Sequence, residues 1–197
     1  IYTGEDTLSL HDALPIYLYP ELFGLTPLLL PCVLFFLVCV SELSDAFDGY
    51  IARKYDQVTE LGKILDPMAD SIYRISLFLT FTLPPVQIPM GLVFIFLYRD
   101  SVVSTLRTIC ALKGLALAAR ASGKIKAVVQ GIAAAVVLIF MLLNALGFLT
   151  ASELTAYSTL VVGLAAVYTL FSGFDYILAN RRYIRRLLTY KRVEKKI

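Results

Sequence analysis

Residues 45–70 read DAFDGYIARKYDQVTELGKILDPMAD and set a group of charges into a chain that is otherwise apolar. On a helix, one face would carry four of these residues at positions i, i+3, i+4 and i+7, namely Asp45, Asp48, Gly49 and Ala52. Two carboxylates then share a face with two residues that have almost no side chain. Such a face can hold a cation and let another molecule come close.

A second set of small and acidic residues follows in the same stretch. Gly62, Asp66 and Asp70 stand at i, i+4 and i+8, and Pro67 is compatible with a helix if it lies in the first turn or if neighbours satisfy the backbone. Two such helices facing each other would gather four carboxylates, which a low-dielectric setting tolerates only if cations neutralise them. Ligands that are all oxygen select hard divalent ions, Mg²⁺ or Mn²⁺, rather than zinc.

The composition predicts an integral membrane protein of one domain. The chain has 197 residues, 58% of them hydrophobic, and a mean hydropathy of +0.75, which is more apolar than a soluble core requires. The three cysteines lie in or near apolar runs and are interpreted as buried hydrophobic residues, without a disulfide framework or a zinc site. The net charge of +3 is small, and no nucleic-acid partner is expected.

Apolar runs predict five membrane-spanning helices. Since about 20 residues cross the hydrocarbon, we place the spans at about 26–40, continuing into the aspartate stretch, and at 72–83, 88–112, 127–148 and 154–177. Basic residues follow the first, third and fifth spans, while the two intervening turns have none. By the positive-inside rule these basic regions, and with them the aspartate stretch, face the cytoplasm. The prediction is therefore a multi-pass protein of the cytoplasmic (inner) membrane.

The two ends of the chain differ from the predicted transmembrane domain, residues 17–180. Residues 1–16 carry three acids, no lysine or arginine and the only histidine, and they lack the positive region and apolar core of a signal peptide. We interpret them as a non-native segment. Residues 181–197 hold eight basic residues against one glutamate, which predicts a basic cytoplasmic tail that contacts an anionic membrane surface or serves as a positive-inside anchor.

A second group of charges lies at the cytoplasmic end of the third and fourth predicted spans. Charges in apolar helices are costly and usually face a polar cavity. Arg99 and Arg107 stand eight residues apart, about two turns along one face, and Lys124 can approach from the next helix. Three cations without matching acids predict a site for an anion, most simply a phosphate. The alternative is that each side chain reaches separately to the lipid headgroups.

The spacing of the aspartate stretch resembles the signature of the CDP-alcohol phosphotransferase family. The pattern D-x2-D-G-x2-A-R-x8-G-x3-D-x3-D is matched without a gap by Asp45, Asp48, Gly49, Ala52, Arg53, Gly62, Asp66 and Asp70. Four further segments are similar to the phosphatidylglycerophosphate synthase branch of that family: RDSVVSTLR (99–107), KG (113–114), GKIKAVVQ (123–130) and SGFDY (172–176). The resemblance covers about residues 26–180.

The resemblance implies a fold and a reaction. The fold is a six-helix transmembrane bundle, with the first helix truncated or replaced in this chain, that forms a homodimer. The reaction transfers a phosphatidyl group from CDP-diacylglycerol to sn-glycerol 3-phosphate, and gives phosphatidylglycerophosphate and CMP in phospholipid biosynthesis.

The resemblance also implies roles for single residues. Two divalent ions, Mg²⁺ or Mn²⁺, would be held by Asp45, Asp48, Asp66 and Asp70. Asp70 would act as general base, with Asp66 as the second catalytic aspartate. CDP would lie against Gly49, Ala52, Arg53 and Gly62. The phosphate of the acceptor would be bound by Arg99, Arg107 and Lys124.

The chain departs from the family pattern in two places. After Asp70 the family often has a lysine, where this chain has Ser71, and Arg74 can supply that charge one turn later. The family's amphipathic N-terminal helix and first span, with a Pro-Asn and a Thr-x2-Arg pattern near the nucleotide, have no counterpart.

Two other functions fit parts of the sequence. Within the family the acceptor could be serine or an inositol phosphate; serine has no phosphate for the three cations, whereas inositol phosphate would use them equally well. Outside the family, a cation carrier or channel would also place acids in a membrane. A carrier requires acids near the bilayer midplane, whereas these lie at a helix end beside Arg53 and Lys54, which favours catalysis.

Overall fold

A computed structural model describes residues 16–54, 62–112, 121–181 and 184. Most of these residues form five helices: α1 (Leu29–Lys54), α2 (Gly62–Thr80), α3 (Met90–Leu112), α4 (Ala121–Ala145) and α5 (Ala151–Ala179). A short 3-10 helix, Pro20–Phe23, precedes α1, and these ranges contain no β-strand. The predicted all-α class is confirmed for this part of the chain, whereas residues 1–15 and nearly all of the basic tail lie outside the described residues.

α1 and α2 carry the aspartate stretch. The sequence predicted the course of α1 correctly but not the residue at which α2 begins. α1 runs without interruption from its apolar half into Asp45 and Asp48, as predicted. The prediction that the next helix begins at Ile72 is wrong, because α2 begins at Gly62 and passes through Pro67 in its second turn. Proline removes one backbone donor from a helix, but the residues on both sides of it keep their helical geometry.

The turn after α2 shows why this helix ends at Thr80 rather than at Leu83. The hydroxyl of Thr80 donates to the carbonyl three residues earlier, at 2.7 Å. The amide of Ile88 donates across the turn to the carbonyl of Phe81, at 3.0 Å. Phe81, Val86 and Ile88 are buried, so the turn folds back onto the bundle instead of extending the helix.

α4 and α5 begin earlier than predicted, because polar residues start both helices. α4 begins at Ala121 rather than at residue 127, so Lys124 and Lys126 lie in its first turns. Thr150 is the N-cap of α5: its Oγ1 accepts from the amide of Glu153 at 3.3 Å, and a carboxylate oxygen of Glu153 accepts from the amide of Thr150 at 2.8 Å. This capping box satisfies two amides that the helix itself leaves free.

The helices pack around an apolar interior. α5 packs against α3 and α4, α4 also contacts α1 and α2, and α2 contacts α3. The largest buried side chains include Phe78, Phe81, Phe96, Leu34, Leu138 and Leu154. The ring centroids of Phe78 and Phe96 lie 4.8 Å apart, which joins α2 to α3. These contacts hold α2, α3, α4 and α5 together.

The outer surface of the bundle is apolar. Within the described ranges, two segments are long and apolar enough, by length and composition, to cross a bilayer: Ser122–Ala145 and Ala151–Ala179. Several large side chains of α5 are each more than half exposed: Leu160, Leu164, Val167, Phe171, Phe174 and Leu178. A continuous apolar surface of this kind is typical of a face covered by lipid. These features are consistent with a membrane bundle, while the six spans implied by the resemblance stay a prediction.

Candidate active site

The backbone of α1 and α2 gives the aspartate stretch the register that its sequence predicts. Asp45 and Asp48 stand one turn apart on α1, and Asp66 and Asp70 stand one turn apart on α2. The other positions of the pattern lie on the same two helices: Gly49, Ala52, Arg53 and Gly62. Of these eight residues, Asp70 is the one whose side chain is described. The meeting of four carboxylates at a pair of metal ions therefore stays a prediction.

The carboxylate of Asp70 is accessible. Its side chain is 46% exposed, and Arg74, one turn later on α2, places Nη2 at 3.6 Å from Oδ2. This distance is that of an ion pair and is too long for a hydrogen bond, and no described residue donates a hydrogen bond to the Asp70 carboxylate. Its oxygens can therefore bind a metal ion or a proton. Arg74 stands where the sequence suggested a replacement for the family's lysine.

A buried ion pair joins α3 to α4. Lys126 Nζ donates to both carboxylate oxygens of Asp100, at 2.8 and 2.7 Å, and the two side chains are only 4% and 6% exposed. Ser71, which follows Asp70 on α2, donates its hydroxyl to Oδ2 of Asp100 at 2.8 Å. A buried carboxylate is tolerated only when charges and hydrogen bonds replace water, and Asp100 has both.

Arg99 extends this cluster to α5. Its Nη1 donates to Oδ1 of Asp100 at 3.0 Å, and its Nη2 donates to Oγ of Ser172 at 2.8 Å. Ser172 donates to the carbonyl of Ser122 at 3.2 Å, and the hydroxyl of Ser122 donates to Oδ2 of Asp175 at 2.7 Å. Four helices are thus linked by hydrogen bonds through what we call the polar network: Ser71, Arg99, Asp100, Ser122, Lys126, Ser172 and Asp175.

One glycine makes room for the Arg99 side chain. A Cβ at Gly173 on α5 would lie 3.0 Å from Cγ of Arg99, whereas a Cβ at Gly123 on α4 would lie at an ordinary contact distance, 3.9 Å, from its Nη2. The first distance is shorter than real Cβ contacts normally allow. The Nε of Arg99 is buried and finds no acceptor in the part of the chain that the structure describes. Arg99 is thus closely surrounded and still has an unused hydrogen-bond donor.

The expectation that the three candidate phosphate ligands lack matching acids is wrong for one of them. Arg99 is paired with its own neighbour, Asp100, which the helical spacing did not reveal. Arg107 is half-buried, Lys124 is exposed, and neither forms an ion pair with any described residue. The binding of a phosphate by Arg99, Arg107 and Lys124 stays a prediction.

Sequence reasoning missed the three serines as partners within the site and did not pair Lys126 with Asp100. One signal was present: Asp100 lies in an apolar helix, and an acid there needs a partner. A second signal was the pairing of serine with glycine at 122–123 and at 172–173. Adjacent small residues on two helices let another side chain pass between them, as Arg99 does.

Comparison with known proteins adds a family match. The sequence matches the CDP-alcohol phosphatidyltransferase family over residues 22–171. This range contains the whole aspartate stretch and the Asp100–Lys126 pair.

Curated relatives share most of the chain. It is similar to the CDP-diacylglycerol--glycerol-3-phosphate 3-phosphatidyltransferase of Bacillus subtilis (strain 168), with 34% identity over 146 residues, which cover 73% of this chain and 71% of that protein. Proteins of the same name from Rickettsia bellii and Rickettsia felis are 29% and 28% identical over 147 residues, which cover 75% of this chain and 78% of each of them.

Proposed function

This chain belongs to the CDP-alcohol phosphatidyltransferase family, and we propose that it transfers the phosphatidyl group of CDP-diacylglycerol to sn-glycerol 3-phosphate. A hydroxyl oxygen of glycerol 3-phosphate forms a bond to the phosphorus that carries diacylglycerol, and the bond from that phosphorus to the oxygen of CMP breaks. The hydroxyl proton passes to a base, and the products are phosphatidylglycerophosphate and CMP. The names of the Bacillus and Rickettsia relatives support this donor and acceptor.

The observation that carries the choice of acceptor is that α3 and α4 carry positively charged side chains with hydrogen-bond donors that find no partner among the described residues. Arg107 and Lys124 form no ion pair with a described residue, and Nε of Arg99 has no acceptor there. A phosphate offers charge-assisted hydrogen bonds to such groups. Serine has a carboxylate but no phosphate and would satisfy fewer of these groups, so a phosphorylated acceptor fits better than serine.

The aspartate stretch is assigned to the donor. Oxygen atoms of carboxylates are the ligands that Mg²⁺ and Mn²⁺ prefer, and the accessible Asp70 carboxylate fits that requirement. The described side chains include no cluster of three such ligands, and the proposed metal-binding set extends beyond them to Asp45, Asp48 and Asp66. When bound, two divalent ions would neutralise negative charge on the donor pyrophosphate and on the leaving CMP.

The remaining positions of the pattern bind the nucleotide. Gly49, Ala52 and Gly62 have little or no side chain, so the nucleotide can pack directly against α1 and α2. Arg53 follows Ala52 on α1 and pairs with the phosphates of the donor.

Asp70 is assigned as the base that receives the hydroxyl proton, and Asp66, one turn earlier, is the second aspartate of the catalytic pair. A base must come within hydrogen-bond reach of the attacking oxygen, and the half-exposed carboxylate of Asp70 is accessible to a substrate. The ion pair with Arg74 restrains its position. Ser71 bonds to Asp100 and so links the base to the helix that carries Arg99 and Arg107.

The reaction takes place at the cytoplasmic face of the cell membrane. The apolar segments Ser122–Ala145 and Ala151–Ala179 can cross a bilayer, and the basic residues between spans favour the cytoplasmic side. The lipid tails then stay in the bilayer while the phosphate groups react at its surface. Six spans and a homodimer belong to the same proposal, and chemical crosslinking in native membranes tests the dimer.

An acceptor panel tests the function. The full chain, in mixed micelles with CDP-diacylglycerol and Mg²⁺, is given glycerol 3-phosphate, inositol phosphate, serine or no acceptor, and CMP release is measured. We expect acceptor-dependent release with glycerol 3-phosphate that exceeds release with the other two. Preference for serine would contradict the role given to the three cations, and preference for inositol phosphate would change the acceptor alone. Cation flux through the protein reconstituted in sealed vesicles, without any CMP release, would favour a carrier.

A further inference from the structure

We propose that Ser172, Gly173 and Asp100 are positioning residues that fix the guanidinium of Arg99 for the phosphate of the acceptor. This inference rests on the proposed function, because it adds to the phosphate site the residues that orient one of its ligands. It concerns two helices, α3 and α5, that the sequence motif does not connect.

Hydrogen bonds set the direction of the guanidinium. Asp100 accepts from Nη1 at 3.0 Å and Ser172 accepts from Nη2 at 2.8 Å, so the two ends of the planar fork are held by different helices. Both acceptors are fixed in turn: Asp100 by Lys126 at 2.7 and 2.8 Å, and Ser172 by its bond to the carbonyl of Ser122 at 3.2 Å. The guanidinium plane is therefore restrained at both ends.

Close packing fixes the stem of the same side chain. Because Gly173 has no Cβ, Cγ of Arg99 can approach α5 to a distance at which a Cβ would lie only 3.0 Å away. An alanine at this position would require the Arg99 stem to shift by a few tenths of an ångström. The residue next to the hydrogen-bond acceptor Ser172 thus determines where the guanidinium can lie.

The restrained guanidinium has donors to spare. Arginine carries five N–H donors, and the polar network uses one on each Nη group. The Nε of Arg99 is buried without an acceptor among the described residues, and a buried donor without a partner is unfavourable. An anionic oxygen of a phosphate would satisfy it, which explains why the fold holds a mostly buried arginine in one orientation.

The network also fixes the separation between acceptor site and base. Ser71, next to Asp70, donates to the same Asp100 that accepts from Arg99, at 2.8 Å. The carboxylate of Asp100 thus fixes the position of α2 relative to α3. The phosphate of the acceptor and the base for its hydroxyl are then held at a fixed distance.

Paired glycine variants test the inference. Gly173→Ala places a methyl group against Arg99, whereas Gly163→Ala, on the same helix, meets nothing within 4 Å. Both exchanges raise the helix propensity equally. The full chain in detergent is titrated calorimetrically with glycerol 3-phosphate and, separately, with inorganic phosphate. We expect Gly173→Ala to weaken the binding of both ligands about tenfold, or about 1.4 kcal/mol, and Gly163→Ala to leave both unchanged.

Serine variants separate positioning from a general structural role. Ser172→Ala removes the acceptor of Nη2 and should raise the KM for glycerol 3-phosphate about tenfold, with the KM for CDP-diacylglycerol unchanged. Ser172→Thr keeps the hydroxyl and should restore most of the affinity. Asp100→Asn is less suitable here, because it leaves Lys126 buried beside a neutral partner and can unfold the protein.

Several results would overturn the inference. Phosphate binding by Gly173→Ala or Ser172→Ala that equals that of the unchanged protein would show that Arg99 needs no positioning. Equal increases in the KM for both substrates would mean that these residues act on the fold as a whole. Because inorganic phosphate is titrated separately from CMP release, a protein that binds phosphate through Arg99 but releases no CMP with glycerol 3-phosphate would refute the proposed function and leave the positioning inference supported.

Discussion

Two regions of the helix bundle are held together by different forces. The turn between α2 and α3, residues 81–89, has no charged residue. Its Phe81 and Val86 are buried, and Tyr17 packs on it with its hydroxyl donating to the carbonyl of Pro84 at 3.1 Å and its ring 6.5 Å from that of Phe81. In the polar network, by contrast, α2, α3, α4 and α5 are joined by hydrogen bonds to charged groups.

The difference shows where this protein can vary. Apolar contacts tolerate the exchange of one side chain for another of similar volume, whereas a buried charge that loses its partner is strongly destabilising. Membrane proteins keep such groups mainly where polar substrates or ions are handled. We therefore expect substitutions in the aspartate stretch and the polar network to change catalysis, and substitutions in the apolar turn to change stability alone.

The largest effect is expected in the aspartate stretch. Asp45→Asn, Asp48→Asn or Asp66→Asn each removes a charged ligand from a shared metal site, so CMP release should fall below detection. The elution profile in detergent should stay unchanged, because these residues serve the substrate rather than the core. EDTA should abolish the activity of the wild-type protein, and Mg²⁺ or Mn²⁺ should restore it. Full activity in EDTA would rule out a divalent ion in the reaction.

A smaller effect on catalysis is expected in the polar network, where substitutions should above all lower stability. Asp100→Asn leaves the Lys126 ammonium buried without its counter-charge, which costs about 3–5 kcal/mol and should lower the Tm in detergent. The double variant Asp100→Leu/Lys126→Met removes both of these charges and should recover the stability lost at Lys126, while Arg99 still lacks its acidic partner. Its KM for glycerol 3-phosphate should stay raised, since Arg99 has lost one of its two partners.

The double variant turns this part of the polar network into an apolar contact. It therefore tests directly whether the polar network and the apolar turn differ in the way proposed. If it is no more stable than Asp100→Asn alone, the two charges are not coupled in the way their 2.7 Å contact indicates. If it is stable and also binds glycerol 3-phosphate normally, Asp100 has no part in positioning Arg99.

The smallest effect is expected in the apolar turn. Phe81→Leu keeps an apolar side chain of moderate size at a fully buried position and should lower stability by about 1 kcal/mol. The KM values for both substrates should stay as they are, because no charged group is disturbed. Thermal unfolding measures the change in stability, and steady-state kinetics measure the two KM values. A raised KM for glycerol 3-phosphate in this variant would break the proposed division between the two regions.

Features that depend on spacing along one helix could be predicted from the sequence. The register of Asp45 with Asp48 and of Asp66 with Asp70 follows from helical periodicity, and the motif they form led to the family that the comparison confirms. The beginnings of α2 and α4 were mispredicted for a physical reason. Hydropathy locates the apolar part of a helix, whereas Lys124 lies in the first turns of α4, before the apolar part begins.

Most contacts of the polar network could not be predicted, because their partners are distant in sequence. Ser71 and Asp100 are 29 residues apart, and Arg99 and Ser172 are 73 apart. Which small residue of α5 faces Arg99 depends on the angle and the rotation at which two helices pack, and spacing along one helix carries no information on either. The bond from Arg99 to Ser172 therefore required the packing of α3 against α5, whereas its ion pair with Asp100 joins neighbours on α3.

The central claim is that donor and acceptor are held by separate sets of residues, and two-substrate kinetics of Arg107→Ala, Lys124→Ala and Arg53→Ala test it most directly. Arg107→Ala and Lys124→Ala each remove charge-assisted hydrogen bonds to a phosphate, worth about 1.5–3 kcal/mol. We expect kcat/KM for glycerol 3-phosphate to fall about 10- to 100-fold in each, with unchanged affinity for CDP-diacylglycerol. Arg53→Ala should weaken the donor and spare the acceptor. If Arg107→Ala and Lys124→Ala weaken the donor alone, the phosphate site is wrongly assigned, and the preference for glycerol 3-phosphate over an unphosphorylated alcohol is contradicted.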